Sequence, residues 1–179
     1  VEYPSQKIVV KNLKAYEPPL VEEEGIYRDF LSKHSPLVSP FHKFDDKYVL
    51  TVGKENYVVN DYVEGVNFGD SDNQPIEKVA EFMAITHMLP YENLPEHDVW
   101  FSKEFMIDTV KRIKTFKPGF SLDLQKMISK FKNFWDEDLP RGIVHGDLHG
   151  DNCIVENGEL VAVLDWEECG VFPLVLDLG

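Results

Sequence analysis

Cysteine is scarce in this chain. Of 179 residues only Cys153 and Cys169 carry a thiol, and no CxxC spacing relates them, which excludes a disulfide framework. In their apolar or Gly-flanked surroundings both read as small core residues. Long apolar runs are lacking as well. None approaches the roughly 20 residues that a membrane-spanning helix needs, and no signal-peptide pattern opens the sequence, so a cytoplasmic protein with no membrane partner is expected. Positive charge is in short supply: 18 Lys and Arg stand against 32 Asp and Glu, a formal net charge of -14. That balance repels nucleic acid and anionic lipid at long range, and no nucleic-acid partner is expected. The same field favours a cationic small molecule, although an acidic surface also serves solubility. Neither an internal repeat nor a low-complexity tract is found. What is there, 43% hydrophobic and 28% charged residues, is the composition of a globular protein with one good core or two small lobes.

The first 65 residues read mostly as strands. "KIVVKNL" (Lys7 to Leu13) is a β-branched run, and "KYVLTV" (Lys47 to Val52) with "NYVVNDYV" (Asn56 to Val63) reads as a hairpin around Gly53 and Lys54. Between them, Val21 to His34 places Ile26, Tyr27, Phe30 and Leu31 at helical spacing, with acidic residues expected in the first turn. Gly25 costs this helix roughly 1 kcal/mol relative to Ala. A turn-rich stretch from Val63 to Pro75 reads as a hinge, after which the period becomes helical. Helices are expected from Ile76 to Met88, from Ser102 to Phe116 and from Leu122 to Trp135. The chain then returns to strands. "CIVE-NG-ELVAVL" places Asn157 and Gly158 between two apolar runs, a strong hairpin signal because both central residues of a type I′ turn need positive φ.

That hairpin has a chemical consequence. Its ends must lie together, so Asn152, before the first strand, is expected close to Asp165, after the second; Asp147 stands five residues upstream in the loop "HGDLHGDN". An Asn carbonyl and an Asp carboxylate are hard oxygen ligands that suit Mg²⁺, which keeps waters and substrate phosphates in its shell. Asp147 is left to orient an attacking hydroxyl and accept its proton. A DxxxxN pair followed by a later Asp is the division of labour found in kinases.

"HGDLHGDN", followed by "VLDWEECG" and "LDLG", resembles the signature of the aminoglycoside phosphotransferase, choline kinase and homoserine kinase superfamily. "LPRGIVHGDLHGDN" is most similar to its homoserine-kinase-like branch. The resemblance implies an α+β, two-lobed protein-kinase-like fold: a partial nucleotide-binding lobe over residues 1–64 and a partial, mainly helical catalytic lobe over residues 65–179. It also implies ATP and Mg²⁺ as cofactors and transfer of the γ-phosphoryl group to a hydroxyl of a small-molecule acceptor. Lys11 of "VVK" resembles the lysine that contacts the α and β phosphates, Glu24 the glutamate that pairs with it, and Asp61, Tyr62 and Val63 the hinge whose backbone holds adenine. Asp147 matches the catalytic base, and Asn152 and Asp165 the metal ligands. His145 corresponds to a structural anchor under the loop and Asp177 to a carboxylate that holds the loop by its backbone amides. The family's hairpin and phosphate-covering loop before the lysine strand have no counterpart here, and neither do its C-terminal helices. The chain is therefore expected to be a fragment.

Other readings compete. His145, Asp147 and His149 alternate, so on an extended segment they would form a Zn²⁺ or Mn²⁺ face of a metal-dependent hydrolase. Gly146 and Gly150 favour a loop instead, and no second His or Cys cluster completes a closed site. A non-catalytic nucleotide-binding pseudokinase is the other alternative, against which stand the intact Asp147, Asn152 and Asp165. Asp151 reads as a solvated loop carboxylate, Glu167 and Glu168 as metal or acceptor contacts or as solvent-facing, and His149 has no assigned role. Between a cationic aminoglycoside or choline-like acceptor and an amino-alcohol the sequence does not choose, nor does it give the oligomeric state.

Overall fold

The computed structural model describes residues 7–14, 17–70, 75–95, 103–130 and 138–178. After β1 and α1, runs of strands and of helices follow one another in an α+β arrangement. The first sheet contains β1 (Ile8–Asn12), β2 (Leu50–Val52) and β3 (Glu55–Asp61) in the antiparallel order β1-β3-β2. In its register Lys11 lies opposite Val58, whose buried side chain joins Leu13, Val21, Phe41, Tyr48 and Val49 in a small core.

Helix α1 (Pro18–Ser32) supplies Val21 to that core. It begins three residues before the expected Val21, because prolines are tolerated where the first helical N–H groups have no partner. The acidic residues consequently fall beyond the first turn, which holds none. Glu22 accepts hydrogen bonds from the backbone N–H groups of Tyr48 (3.1 Å) and Val49 (2.9 Å), tying the helix to the segment entering β2. Gly25 has a packing reason: a Cβ built on it would lie 2.3 Å from a Tyr48 ring carbon.

The second sheet has the order β4-β6-β7, from β4 (Val66–Asn67), β6 (Cys153–Glu156) and β7 (Glu159–Val163). Asn157 (φ 51°) and Gly158 (φ 83°) make the expected turn between β6 and β7. A third, two-stranded sheet pairs β5 (Arg141–Val144) with β8 (Gly170–Pro173). The larger core lies among these elements: Tyr27 and Leu31 of α1 meet Phe82 of α2 (Ile76–His87), Ile143, Cys153, Leu160, Val163, Trp166 and Cys169. Both cysteines are thus buried free thiols.

Residues Val1–Pro95 and Arg141–Gly179 form one compact unit, and Glu96–Pro140 a second. The described part of the second unit holds α3 (Lys103–Lys114) and α4 (Pro118–Lys130). Ser121 Oγ, buried, donates to the Val110 carbonyl at 3.1 Å and joins the two helices. Helix α4 starts at Pro118, within the "KPG" expected to separate helices, again because proline suits a first turn. Trp135 lies outside the described residues. No described helix is long and apolar enough to cross a membrane.

Candidate active site

The β6–β7 hairpin assembles one side of the site. The Leu164 amide donates to the Asn152 carbonyl at 2.8 Å, which closes the hairpin's open end and sets Asp165 beside it. Asn152 is buried, and its Nδ2 donates to the Asp147 carbonyl (2.8 Å) and to Asp147 Oδ2 (3.2 Å). With the amide nitrogen so engaged, Asn152 Oδ1 is the group left to accept from or ligate a partner. Asp165 has φ 60°, the left-handed region that non-glycine residues seldom occupy, and strain of this kind gathers at functional sites.

The loop between β5 and β6 is fixed from beneath. His145 is buried, its Nε2 donates to the Leu164 carbonyl at 2.8 Å, and its Nδ1 accepts from the Asp147 amide at 3.3 Å. The ring packs against Trp166, centroids 4.5 Å apart, and burial holds its pKa below 6.5. This neutral imidazole ties the loop bearing Asp147 to the strand end bearing Asp165, an anchor rather than a metal ligand. Asp177, with a side chain only 2% exposed, accepts from the amides of His145 (3.0 Å) and Gly146 (2.9 Å) and from His87 Nε2 (2.8 Å). Gly146 has φ 84°, and a Cβ there would lie 2.5 Å from the Glu168 carbonyl oxygen, so only glycine fits this bend.

The first sheet contributes Lys11, whose Nζ donates to Glu167 at 2.9 Å and approaches Asp165 Oδ1 at 3.5 Å. The expected pairing of Lys11 with Glu24 takes a different form. Glu24 Oε1 accepts from Arg28 Nη1 at 3.1 Å, one helical turn on, and both side chains are buried. Desolvation raises the Glu24 pKa; Arg28 opposes this most strongly, and the charge of Lys11 adds to the opposition. Arg28 also donates through Nε to the Ser39 carbonyl (2.8 Å) and stacks over Phe41. At the end of β3, His42 lies 2.9 Å from Asp61 Oδ1, the Asp61 carbonyl accepts from Asn60 Nδ2, and the Tyr62 amide donates to the Lys7 carbonyl. The Val63 amide has no hydrogen-bond partner among the described residues.

Asp147, Asp165, Glu167 and Glu168 make this a strongly negative surface. Glu168 has its pKa raised by desolvation and then by Asp147, Glu167 and Asp165. Among the described residues no group of three or more His, Cys, Asp or Glu is arranged to hold a metal ion by itself. A donor set of Asn152 Oδ1 and the Asp165 carboxylate fits Mg²⁺ better, since that ion keeps waters and phosphate oxygens in its shell. His87 was not legible as a neighbour of the loop, since it acts through a tertiary contact to Asp177; the Glu24–Arg28 pair, four residues apart on one helix, is a signal that helical spacing could have given. Glu167 was left undecided because its partner comes from β1, more than 150 residues away.

Comparison with known proteins bears on this geometry. The chain is 22% identical over 148 residues to a homoserine kinase of Rhodospirillum rubrum, covering 79% of this chain and 46% of that protein. With a homoserine kinase of Parvibaculum lavamentivorans it shares 20% over 166 residues, 86% and 51% of the two chains. It therefore spans about half the length of the curated relatives it matches. An aminoglycoside phosphotransferase from Streptomyces rimosus, solved with ADP and streptomycin, superposes with a TM-score of 0.72 at 17% identity, over 96% of this chain and 68% of that one. An amicoumacin kinase in complex with AMP-PNP, Ca²⁺ and Ami gives 0.70 at 16% identity, over 96% and 55%. At these identities the likeness shows the fold, which is α+β and protein-kinase-like. The model of the phosphotransferase enzyme family APH matches residues 2–179, and the chain belongs to that family.

Proposed function

We propose that the chain carries the nucleotide-binding and phosphoryl-transfer centre of an ATP-dependent small-molecule kinase, moving the γ-phosphoryl group of ATP to an alcohol hydroxyl. The observation that carries this reading is the direct contact of Asp147 with Asn152 at the open end of a hairpin whose second strand runs out beside it towards Asp165, with Lys11 reaching the Asp165 carboxylate. Residues 1–64 act as the nucleotide lobe and residues 65–179 as the catalytic lobe. The backbone of Asp61, Tyr62 and Val63 holds adenine, the Val63 amide being the donor that the sheet leaves over. Lys11 binds the α and β phosphates, and Glu24, kept in place by Arg28, steers that ammonium through its charge. Asn152 Oδ1 and Asp165 hold Mg²⁺, which when bound neutralises phosphate charge. Asp147 Oδ orients the acceptor hydroxyl and takes its proton. Most of the rate gain comes from positioning and charge neutralisation.

For the acceptor, the homoserine kinases among the relatives support a small amino-alcohol. The carboxylates around Asp147 supply the complementary field for its ammonium group.

Calorimetry of ATP with and without Mg²⁺ tests the nucleotide site, on the intact protein and on its Asp165→Ala and Asp147→Asn variants. Binding that needs Mg²⁺, weakens with Asp165→Ala and survives Asp147→Asn while transfer to an amino-alcohol falls by about 10²-fold or more supports the assignment. A folded protein that binds no ATP with Mg²⁺ present, or an Asp147→Asn variant of undiminished turnover, sinks it.

A further inference from the structure

The last turn of α2 lies outside the carboxylate cluster, yet it touches the element that sets the backbone beneath Asp147. Asp177 receives its donors in a fixed pattern: Gly146 N on Oδ1 at 2.9 Å, His145 N on Oδ1 at 3.1 Å and on Oδ2 at 3.0 Å, and His87 Nε2 on Oδ2 at 2.8 Å. The backbone amides reach both oxygens, and His87 shares Oδ2 with the His145 amide. His87 supplies the only side-chain donor to Asp177 among the described residues. Asp177 itself sits in a 3-10 segment, Leu174–Leu178, a weak form of helix that needs outside contacts to hold its orientation.

His87 is held in turn by the packing of α2 on β5. A Cβ on Gly142 would lie 2.8 Å from the His87 carbonyl oxygen, so the helix end rests on the strand at a distance only glycine allows. Two residues on, β5 runs out into His145. Helix α2, strand β5 and the Asp177 segment thus meet at one point, directly before Asp147.

We infer that His87 is a positioning residue for Asp147: its bond to Asp177 orients the carboxylate that clamps the amides of His145 and Gly146, and so sets where Asp147 points. Gly146, whose amide the clamp holds, directly precedes Asp147 and turns the chain through a left-handed bend into it. Releasing the clamp therefore moves Asp147 itself. The catalytic consequence rests on the kinase reading above; the clamp does not.

The test compares His87→Leu, which removes the donor, with His87→Gln, whose side-chain amide keeps a donor at similar reach. Amide hydrogen exchange at His145 and Gly146 reads the clamp directly, and kcat with the KM for ATP reads its effect on turnover. His87→Leu is expected to speed exchange at both amides about tenfold, the order of one hydrogen bond to a charged group. It should lower kcat roughly 10- to 100-fold with the KM for ATP within about twofold, as a displaced catalytic group does. His87→Gln should restore both to within about threefold of wild type. Unchanged exchange at His145 and Gly146 in a folded His87→Leu protein overturns the inference. If His87→Leu does not fold, His87→Asn, whose amide is too short to reach, takes its place against His87→Gln, and equal exchange in those two overturns it. Exchange that responds in a protein with no phosphotransfer would leave the clamp standing and remove the kinase reading.

Discussion

Replacing Gly25 by Ala sets two effects of known sign against each other. In an isolated helix the substitution would stabilise by about 1 kcal/mol, because Gly loses more backbone entropy on folding and exposes backbone. In this protein the new Cβ would lie 2.3, 2.4 and 2.7 Å from Cδ2, Cγ and Cε2 of Tyr48. Those are atoms of one rigid ring, including the atom that joins it to its own Cβ, so turning the ring about χ2 leaves Cγ in the way and only a change of χ1, inside a packed core, would clear it. Tyr48 is 5% exposed, and its backbone N–H is tied to Glu22. Overpacking of this kind costs about 1–3 kcal/mol, and with three sub-van der Waals contacts the upper end applies. The net is a destabilisation of about 2 kcal/mol, or about 4–8 °C in Tm for a chain of this size. Urea denaturation monitored by far-UV circular dichroism measures it, with Cm falling and the slope unchanged. A second arm isolates the cause: in a Tyr48→Ala background the ring is gone, and Gly25→Ala should turn neutral or stabilising by up to about 1 kcal/mol. Gly25→Ala that stabilises the otherwise unaltered protein would refute the packing argument.

Asp165→Gly removes a side chain from a residue at φ 60°, so it should leave stability equal or raise it by up to about 1 kcal/mol while weakening Mg²⁺-dependent ATP binding. A marked loss of stability would mean that the Asp165 side chain holds the fold rather than serving the site. Burial lowers the His145 pKa below 6.5, so the unfolded chain binds a proton that the folded chain refuses, and this contribution is lost as pH falls from 6.5 towards the depressed folded value. Glu24 and Glu168, with raised values, act in the opposite sense: their contribution is full below about 4.5 and is lost as pH rises through their folded values. The His145 part is therefore read as a difference in denaturation free energy between wild type and His145→Gln from pH 5 to 7, expected to change by up to about 1.4 kcal/mol per pH unit. Parallel curves would show that His145 does not resist protonation.

Much of the site was legible because its chemistry is local. Asp147 and Asn152 are five residues apart in one loop, and Asn157-Gly158 announces the hairpin that returns the chain to Asp165; the structure makes each of these juxtapositions. The two cysteines took the buried places that their surroundings suggest. Strands β4 and β8 were not legible, since two and four residues carry no usable period and owe their conformation to distant partners in β6 and β5. The early start of α1 shows the same limit from the other side. Pro18 and Pro19 read locally as a break, although the first helical turn accepts them.

The sequence by itself determined the periods, the type I′ turn and which hard oxygen donors stand in the loop and after the hairpin, because each follows from what neighbouring residues can do with their own backbone and side chains. Only the tertiary structure decided how charge is shared. Lys11 bonds to Glu167 across more than 150 residues, and His87 meets Asp177 across 90. Such choices depend on which partner lies within about 3 Å once the cores have packed, and a short-range hydrogen bond carries no trace of itself in the sequence between its ends.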